Sequence, residues 1–273
     1  MKLRSKVMMI ILIPLIVWIL YLVLKTPTNT ANWQTQYELL PTVDLQGDHI
    51  SIKNMRDFRY HANDSIAEAR YLDKDFQLSK FKKAWYGISH FGANNLAHVF
   101  ISFEFEDNQF LVVSIEARLE KEHQSYNPIK GAFRAFNKTV VLSTEQDVIG
   151  LRTHIRKERV HLYPLNVPEL YTKPLLLNFL REAQVLNRKP RFYNTLVDNC
   201  MTGLLAQSDQ FRNIFSWFDL RIILPGGSDE IAHELDFFDS SKTLEQLRES
   251  SLIDPSGFSI DDDDFSDKIR QGS

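Results

Sequence analysis

Hydrophobic and polar positions alternate most regularly in two neighbouring segments, residues 97–105 (AHVFISFEF) and 110–118 (FLVVSIEAR). Alternation with a period of two is typical of β-strands that bury one face, so both segments are predicted to be strands. The residues between them, Glu106, Asp107 and Asn108, are turn-formers. The pattern therefore predicts a hairpin whose two strands contribute to one sheet.

The alternation also predicts how the two strands of this hairpin face each other. The apolar face would be made by Val99, Ile101, Phe103, Phe105, Leu111, Val113, Ile115 and Ala117. If both strands point this face into one core, Phe105 lies opposite Leu111 or in a neighbouring register of the same parity. His98 then lies directly or diagonally across from Glu116 on the other face, and the turn must be longer than two residues.

The remaining segments predict strands early in the chain and helices late. Strands are expected at 51–60, 82–92, 138–144, 147–153 (DVIGLRT) and 160–165, and a short helix after Asn127. From Thr172 the apolar residues recur at helical spacing, with Thr172 as cap and Pro174 in the first turn. Thr243 and Gln246 predict a capping box for a last helix. This order indicates an α+β fold, with an antiparallel sheet and flanking helices.

The N-terminus carries an uninterrupted apolar run from Val7 to Leu24. It is long enough to cross a hydrocarbon core of roughly 30 Å, which predicts a transmembrane helix. Lys2, Arg4 and Lys6 precede the run and only Lys25 follows it closely, so the domain after it is predicted to face away from the cytoplasm. A cleaved signal peptide is the alternative, although its apolar region is usually about 7–15 residues long.

The chain has 273 residues and a net charge of -3, which gives no footprint for nucleic acid. We predict a membrane anchor over residues 1–25, a polar linker over 26–48, one domain over 49–250 and a solvated acidic tail over 251–273. The lipid bilayer is the expected partner. No set of side chains has the spacing of a metal site or a phosphate loop, so neither a metal nor a cofactor is expected.

The only cysteine, Cys200, stands in the segment YNTLVDNCMTG. Outside the cytosol, a lone thiol is a partner for an intermolecular disulfide, a buried inert side chain or a reactive group. If Asp198 or Asn199 caps the following helix, Cys200 lies in its first turn, where the helix dipole favours the thiolate and backbone N–H groups can bind an oxyanion. Asp198 opposes this unless its carboxylate points away.

A histidine beside a carboxylate can activate a thiol, because the imidazole takes the proton while the carboxylate orients the ring. Cys200, His98 and Glu116 are therefore candidate catalytic residues. The alternative is that His98 and Glu116 form an ordinary solvated pair and that Cys200 fills a gap beneath its helix.

Three further side chains are candidates for a supporting role beside Asn199. Tyr193 and Asn194 can orient the imidazole or donate to an oxyanion, or can simply hold a loop. Arg118, like Arg152, can bind a phosphate or carboxylate of the substrate, or can pair with Glu104, Glu116 or Asp147.

Five separated motifs, NMRDFRY, the 97–121 hairpin, DVIGLRT, FYNTLVDNC and LPGGSDEIAHEL, resemble in this order the N-terminal periplasmic domain of the lipoprotein intramolecular transacylase (Lnb) family. The resemblance covers the chain from about residue 50 to 235. It implies a permuted papain-like core with a thiol-dependent acyl-transfer site, in which the family's histidine, acid and cysteine fall on His98, Glu116 and Cys200.

The resemblance also implies a bacterial inner-membrane protein that faces the periplasm and acts on acylated lipoproteins or lipid-like substrates. In the transacylase itself further membrane helices follow this domain, whereas nothing after Lys25 in this sequence is long and apolar enough to span. The sequence therefore predicts a cysteine acyltransferase or hydrolase. A non-catalytic envelope binding or scaffold protein and a cell-wall peptide amidase are the alternatives.

Overall fold

The computed structural model describes residues 2–92, 96–207 and 219–272, with side chains from residue 12 onward. Its strands are β1 Thr42–Gln46, β2 His49–Arg56, β3 Arg59–Tyr60, β4 Ile66–Glu68, β5 Tyr71–Gln77, β6 Phe81–His90, β7 Ala97–Phe105, β8 Gln109–Arg118, β9 Asn137–Ser143 and β10 Arg159–Pro164. Its helices are α1 Lys2–Leu24, α2 Pro128–Ala132, α3 Glu169–Arg188, α4 Cys200–Ala206, α5 Leu220–Ile223, α6 Ser228–Glu234, α7 Leu244–Ser251 and α8 Phe265–Lys268.

One large sheet organises the molecule, in the order β1-β2-β9-β8-β7-β6-β10, with β5 also paired to β2. This confirms the α+β class. The expectation of a purely antiparallel sheet is wrong in one place, because β2 and β9 run parallel where Arg56 lies opposite Ser143. Among the residues whose side chains the structure describes, which include only 12–24 of α1, no helix combines the length and the apolarity that a membrane span requires.

Strands β7 and β8 form the predicted hairpin, and the residues that share a face are those that the alternation predicted. Phe103 pairs with Leu111 and Phe105 with Gln109, one step from the register in which Phe105 faces Leu111. The turn is longer than two residues, with Asp107 and Asn108 at φ values of 58° and 54°. Asp and Asn tolerate this left-handed conformation better than most residues, which suits them to the turn.

The β7–β8 ladder ends early, and this positions the site. The last pair between the two strands is Phe100 with Ser114. Beyond it, β7 stays paired with β6 as far as Ala97, while β8 stays paired with β9 as far as Arg118. The two strands therefore separate into a fork, and the residues that follow on each arm, including His98 and Glu116, face the gap.

Both faces of the sheet are covered, which the alternating pattern did not predict. The predicted apolar face joins the larger core beneath α3 and α4. On the opposite face, Phe100 and Val112 pack in a second core with Phe265 and Ile269. The segment after residue 250, predicted to be a solvated acidic tail, thus covers the sheet, because Phe265 and Ile269 are spaced to bury one side of a helical turn.

The segment 26–48, predicted to be a polar linker, also packs against the domain. It contributes β1 to the sheet edge, where Val43 lies opposite Ile52. Trp33 is only 5% exposed, and the Arg118 guanidinium stacks on its ring at 4.1 Å from the centroid. A few scattered apolar residues are enough to pack this polar segment against the domain, although they form no regular pattern.

Local signals predicted helix boundaries with mixed success. Asn127 caps α2, and Thr243 with Gln246 forms the capping box of α7, as expected. The predicted cap at Thr172 is wrong, because α3 begins at Glu169, one turn earlier. The motif DVIGLRT, predicted to be a strand, is part of a π-helix over Gln146–Ile155, where its apolar residues are buried against the second core.

Candidate active site

Cys200 is the first residue of α4, and Asn199 is its N-cap. The Asn199 side chain accepts hydrogen bonds from the backbone N–H groups of Met201 and Thr202, both at 2.9 Å. Thr202 completes the capping box by accepting from the Asn199 N–H at 2.7 Å. These bonds fix the start of the helix, so the thiol has a defined position.

Helix α4 lies very close to the forked strands. A Cβ placed on Gly203 would lie 2.7 Å from Ile115 Cδ1, a distance that real side chains do not reach. Glycine at this position therefore allows the helix to pack against β8. The backbone N–H of Val99, on the other arm of the fork, acts to lower the pKa of the Cys200 thiol.

Cys200, His98 and Glu116 line one cavity of about 590 Å³. The arms of the fork form part of its wall through Ala97, His98, Ile115, Glu116 and Ala117, and Cys200 and Tyr193 lie on the side of α4. Exposed residues 124 and 125 also line it, so the cavity opens to the surface. The fold thus brings the three candidate catalytic residues to the same cavity.

His98 and Glu116 are joined through a serine. His98 Nε2 lies 2.6 Å from Ser114 Oγ, and the Ser114 hydroxyl donates to Glu116 Oε1 at 3.0 Å. The direct distance from His98 Nε2 to Glu116 Oε1 is 3.6 Å. Because Nε2 is engaged in this series of hydrogen bonds, Nδ1 is the ring nitrogen that can accept the proton of a thiol.

Glu116 stays ionised although it is buried. Burial alone would raise its pKa, but Arg56, His98 and Arg152 favour the charged form, and the pKa is lowered to about 2. Arg152 Nη2 lies 3.8 Å from Glu116 Oε1, and the Tyr37 hydroxyl donates to Glu116 Oε2 at 2.9 Å. Glu116 is therefore a fixed negative charge at neutral pH.

His98 and Cys200 are both neutral at rest. Burial and the positive charge of Arg152 lower the pKa of His98 to about 3, against the opposing effect of Glu116. Burial raises the pKa of the Cys200 thiol, although N–H groups of Val99 and Met201 act in the other direction. The depressed thiol pKa expected from the helix dipole is wrong, because desolvation outweighs the dipole here.

Asp198 does not repel a developing thiolate. Its carboxylate points to Lys138, whose Nζ lies 2.5 Å from Asp198 Oδ1 and 3.3 Å from Glu182 Oε1. The Lys138 side chain is only 2% exposed. The Asp198 charge, next to Cys200 in the sequence, is thus paired with a buried lysine.

The N-terminal periplasmic domain family of Lnb matches residues 67–226, more than half of the chain. The chain belongs to this family. Membership sets it in the periplasm-facing cell envelope, in a lipoprotein-processing context. The match contains all three candidate catalytic residues, and it excludes α1, Tyr37 and the C-terminal segment. No curated protein and no solved structure matches the chain.

The supporting residues fall into different roles in this Lnb-family domain. Asn199 positions the helix. Asn194 holds the preceding loop, because its Oδ1 accepts from Leu196 N at 2.9 Å and its Nδ2 donates to Ala132 O at 3.2 Å. Tyr193 lines the cavity together with Cys200, and its ring packs edge-on against that of Tyr126, with 5.8 Å between the centroids. Of the four supporting side chains, Tyr193 is the one that lines the cavity.

Arg118 lies outside the cavity. Its guanidinium donates to the carbonyl oxygens of Tyr37 at 2.9 Å and Glu38 at 3.2 Å, and so holds the segment before β1. Its expected partners Glu104, Glu116 and Asp147 are not among these contacts. Arg152 does lie beside Glu116, which confirms that pairing.

Ser114 and Tyr37 are site residues that the sequence did not single out. Ser114 stands on the same alternating face as His98 and Glu116, so its position between them could have been found. Tyr37 gave no such signal, because it comes from the segment predicted to be a linker. Among the described residues, no group of histidine, cysteine or carboxylate side chains could hold a metal ion.

Proposed function

We propose that this Lnb-family domain is a cysteine acyltransferase or hydrolase that acts on acyl groups of lipids or lipoproteins. The observation that carries the proposal is the fork between β7 and β8. It opens the cavity that Cys200 shares with His98 and Glu116. A strand pair closed to its end would leave no such space.

In the first half of the reaction, Cys200 Sγ attacks the carbonyl carbon of an ester or amide as His98 Nδ1 takes the thiol proton. General-base removal suits a resting pair in which both groups are neutral. The oxyanion is met by the Cys200 backbone N–H and the Tyr193 hydroxyl. Collapse breaks the bond to the leaving group, which takes the proton from His98, and leaves an acyl thioester on Cys200.

In the second half, an amine or water attacks the thioester while His98 takes its proton. The sulfur leaves and is reprotonated, which restores the thiol. Glu116 remains charged throughout and stabilises the imidazolium that forms in each half, directly and through Ser114. A permuted papain-like core fits this scheme, because the histidine strand precedes the acidic strand and both precede the cysteine helix.

A retained anchor completes the proposal. Its support is the apolar run from Val7 to Leu24, which lies within helix α1. A single-pass anchor in the inner membrane would hold the domain in the periplasm at a high local concentration of lipid substrates. A lipid or lipoprotein ester is therefore preferred to a cell-wall peptide amide as substrate.

A non-catalytic envelope scaffold is the second candidate. The observation that favours it is the same neutral resting pair, because burial raises the pKa of Cys200 and lowers that of His98 to about 3. A thiol of this kind reacts slowly unless a base assists it. The two functions thus differ in whether His98 controls the reactivity of Cys200.

Labelling with an acyl-donor probe at pH 7 distinguishes the enzyme from the non-catalytic scaffold. We expect the wild type to form a thioester adduct, Cys200→Ser to form none, and His98→Ala to react about 10²–10⁴-fold more slowly because its general base is gone. His161→Ala is the matched control, since His161 is a buried histidine outside this cavity. Equal labelling of His98→Ala and wild type would favour the scaffold.

A further inference from the structure

Four large apolar side chains stand exposed beside the candidate site. Ile129 is 72% exposed, Phe133 44%, Leu196 51% and Val197 62%. They belong to two loops, one that contains α2 and one that precedes α4. Isolated exposed apolar residues are ordinary, but a group gathered at the rim of a cavity marks an interaction surface.

The two loops are tied to each other, so their exposed residues form one surface. Thr195 Oγ1 donates to Pro128 O at 2.7 Å and lies 2.8 Å from the Tyr126 hydroxyl. Asn194 Nδ2 donates to Ala132 O at 3.2 Å. Because Tyr126 also lines the cavity, this paired-loop rim is continuous with the wall on the side of Cys200.

Helix α1 is seated on the same rim. The ring of Trp18 lies 5.0 Å from that of Phe133, and Arg134 Nη1 donates to Leu22 O at 2.8 Å. At a rise of about 1.5 Å per residue, Trp18 lies about 9 Å before Leu24 along the helix. The loop that contains α2 therefore lies beside the last turns of α1, not past the C-terminal end of that helix.

Cationic side chains flank the paired-loop rim, as they do in segments that bind at a membrane surface. Lys25 Nζ and the Arg134 guanidinium lie 5.7 and 5.8 Å from the centroid of the Phe192 ring, and Lys130 is exposed next to Ile129. Apolar side chains flanked by Lys and Arg favour the boundary between acyl chains and anionic headgroups.

We propose that the paired-loop rim inserts into the periplasmic leaflet of the membrane that holds α1, so that the cavity opens at the lipid surface. This rests on the proposed anchor, since a rim that contacts Trp18 reaches the depth of Trp18. The consequence for function is that an acyl chain can pass from the leaflet to Cys200 without crossing water.

Site-specific fluorescence tests the insertion on the full-length chain. Cys200→Ser removes the only native thiol, and Leu196→Cys or Leu170→Cys then introduces a single one for an environment-sensitive dye. Leu170 is the matched control, because it is 74% exposed at the start of α3. Each protein is reconstituted in phosphatidylethanolamine–phosphatidylglycerol vesicles, with and without lipid spin-labelled on the acyl chain.

We expect blue-shifted emission and quenching by the spin-labelled lipid at position 196, and neither at position 170. Equal responses at the two positions, whether both quenched or both unquenched, would overturn the insertion. Release of the protein by alkaline extraction would overturn the anchor and the insertion together. Because the test uses Cys200→Ser, its result is independent of the acyl-probe labelling that decides whether the thiol is catalytic.

Discussion

Two cavities in this domain are both lined by histidine, arginine and glutamate side chains, but they differ in whether a thiol is present and in what the histidine contacts. The first, of about 590 Å³, holds His98, Glu116 and Arg152. The second, of about 460 Å³, holds His161 and Arg248 among other charged residues. In both, burial lowers the pKa of the histidine, to about 3 in His98 and about 4 in His161. Only the first cavity contains a thiol.

The partners of the two histidines explain why only one is a candidate base. His161 Nδ1 lies 3.0 Å from the carbonyl oxygen of Arg248, a neutral backbone group. His98 Nε2 lies beside Ser114 and the ionised Glu116. A depressed pKa and nearby charges are therefore not enough to indicate catalysis. A carboxylate aligned with the ring and a nucleophile in the same space distinguish the first cavity.

Removing the charge of Glu116 should give the largest difference in folding stability between variants of the two cavities. Glu116→Gln removes the carboxylate that lies 3.8 Å from Arg152 Nη2 and leaves this buried guanidinium with the more distant Glu158 at 4.0 Å, so we expect the free energy of unfolding to fall by roughly 3–5 kcal/mol. Glu249→Gln, at an exposed carboxylate of the second cavity, should change it by less than about 0.5 kcal/mol. Urea denaturation in detergent micelles measures both. Similar losses in the two variants would show that Glu116 is not the buried charge centre described here.

The sequence predicted the parts of this site that depend on local periodicity. Alternation along β7 and β8 was enough to put His98 near Glu116, because the strand period determines which residues share a face. Capping chemistry likewise placed Cys200 in the first turn of α4, since Asn199 can satisfy the free N–H groups there.

The parts that depend on tertiary contacts could not be predicted in this way. The fork arises because β7 and β8 remain paired to β6 and β9 after parting from each other, and neither strand's own pattern records this. Tyr37 reaches Glu116 from a distant segment, and burial reverses the expected direction of the Cys200 pKa shift. Desolvation depends on the surrounding packing, which local spacing does not reveal.

The two histidines should make the fold sensitive to acid in a similar way. Each takes up a proton near its ordinary pKa of 6.5 when unfolded, but resists protonation in the fold until about pH 3 for His98 or pH 4 for His161. Stability is therefore present above pH 6.5 and is lost as the pH falls below it. Each histidine should lower the free energy of unfolding by about 2 kcal/mol between pH 7 and pH 5.

Substituting one histidine at a time separates the two contributions. His98→Gln and His161→Gln should each flatten the decline of stability between pH 7 and pH 5, and His49→Gln, at a half-exposed surface histidine, is the control. Denaturant midpoints at four pH values supply the measurement. An unchanged pH slope in His98→Gln would mean that His98 is not desolvated in solution.

The smallest expected effect concerns the serine beside each histidine. Ser114→Ala removes the hydroxyl between His98 and Glu116, which leaves their direct contact at 3.6 Å to orient the ring. Loss of one hydrogen bond of about 1 kcal/mol corresponds to a roughly fivefold slower acyl-probe reaction at Cys200. In the second cavity, Ser251 Oγ lies 3.5 Å from His161 Nδ1, and Ser251→Ala should leave that rate unchanged. If Ser114→Ala reacted as fast as the wild type, Glu116 would act on His98 without the serine, whereas a loss as large as that of His98→Ala would make Ser114 indispensable to the base.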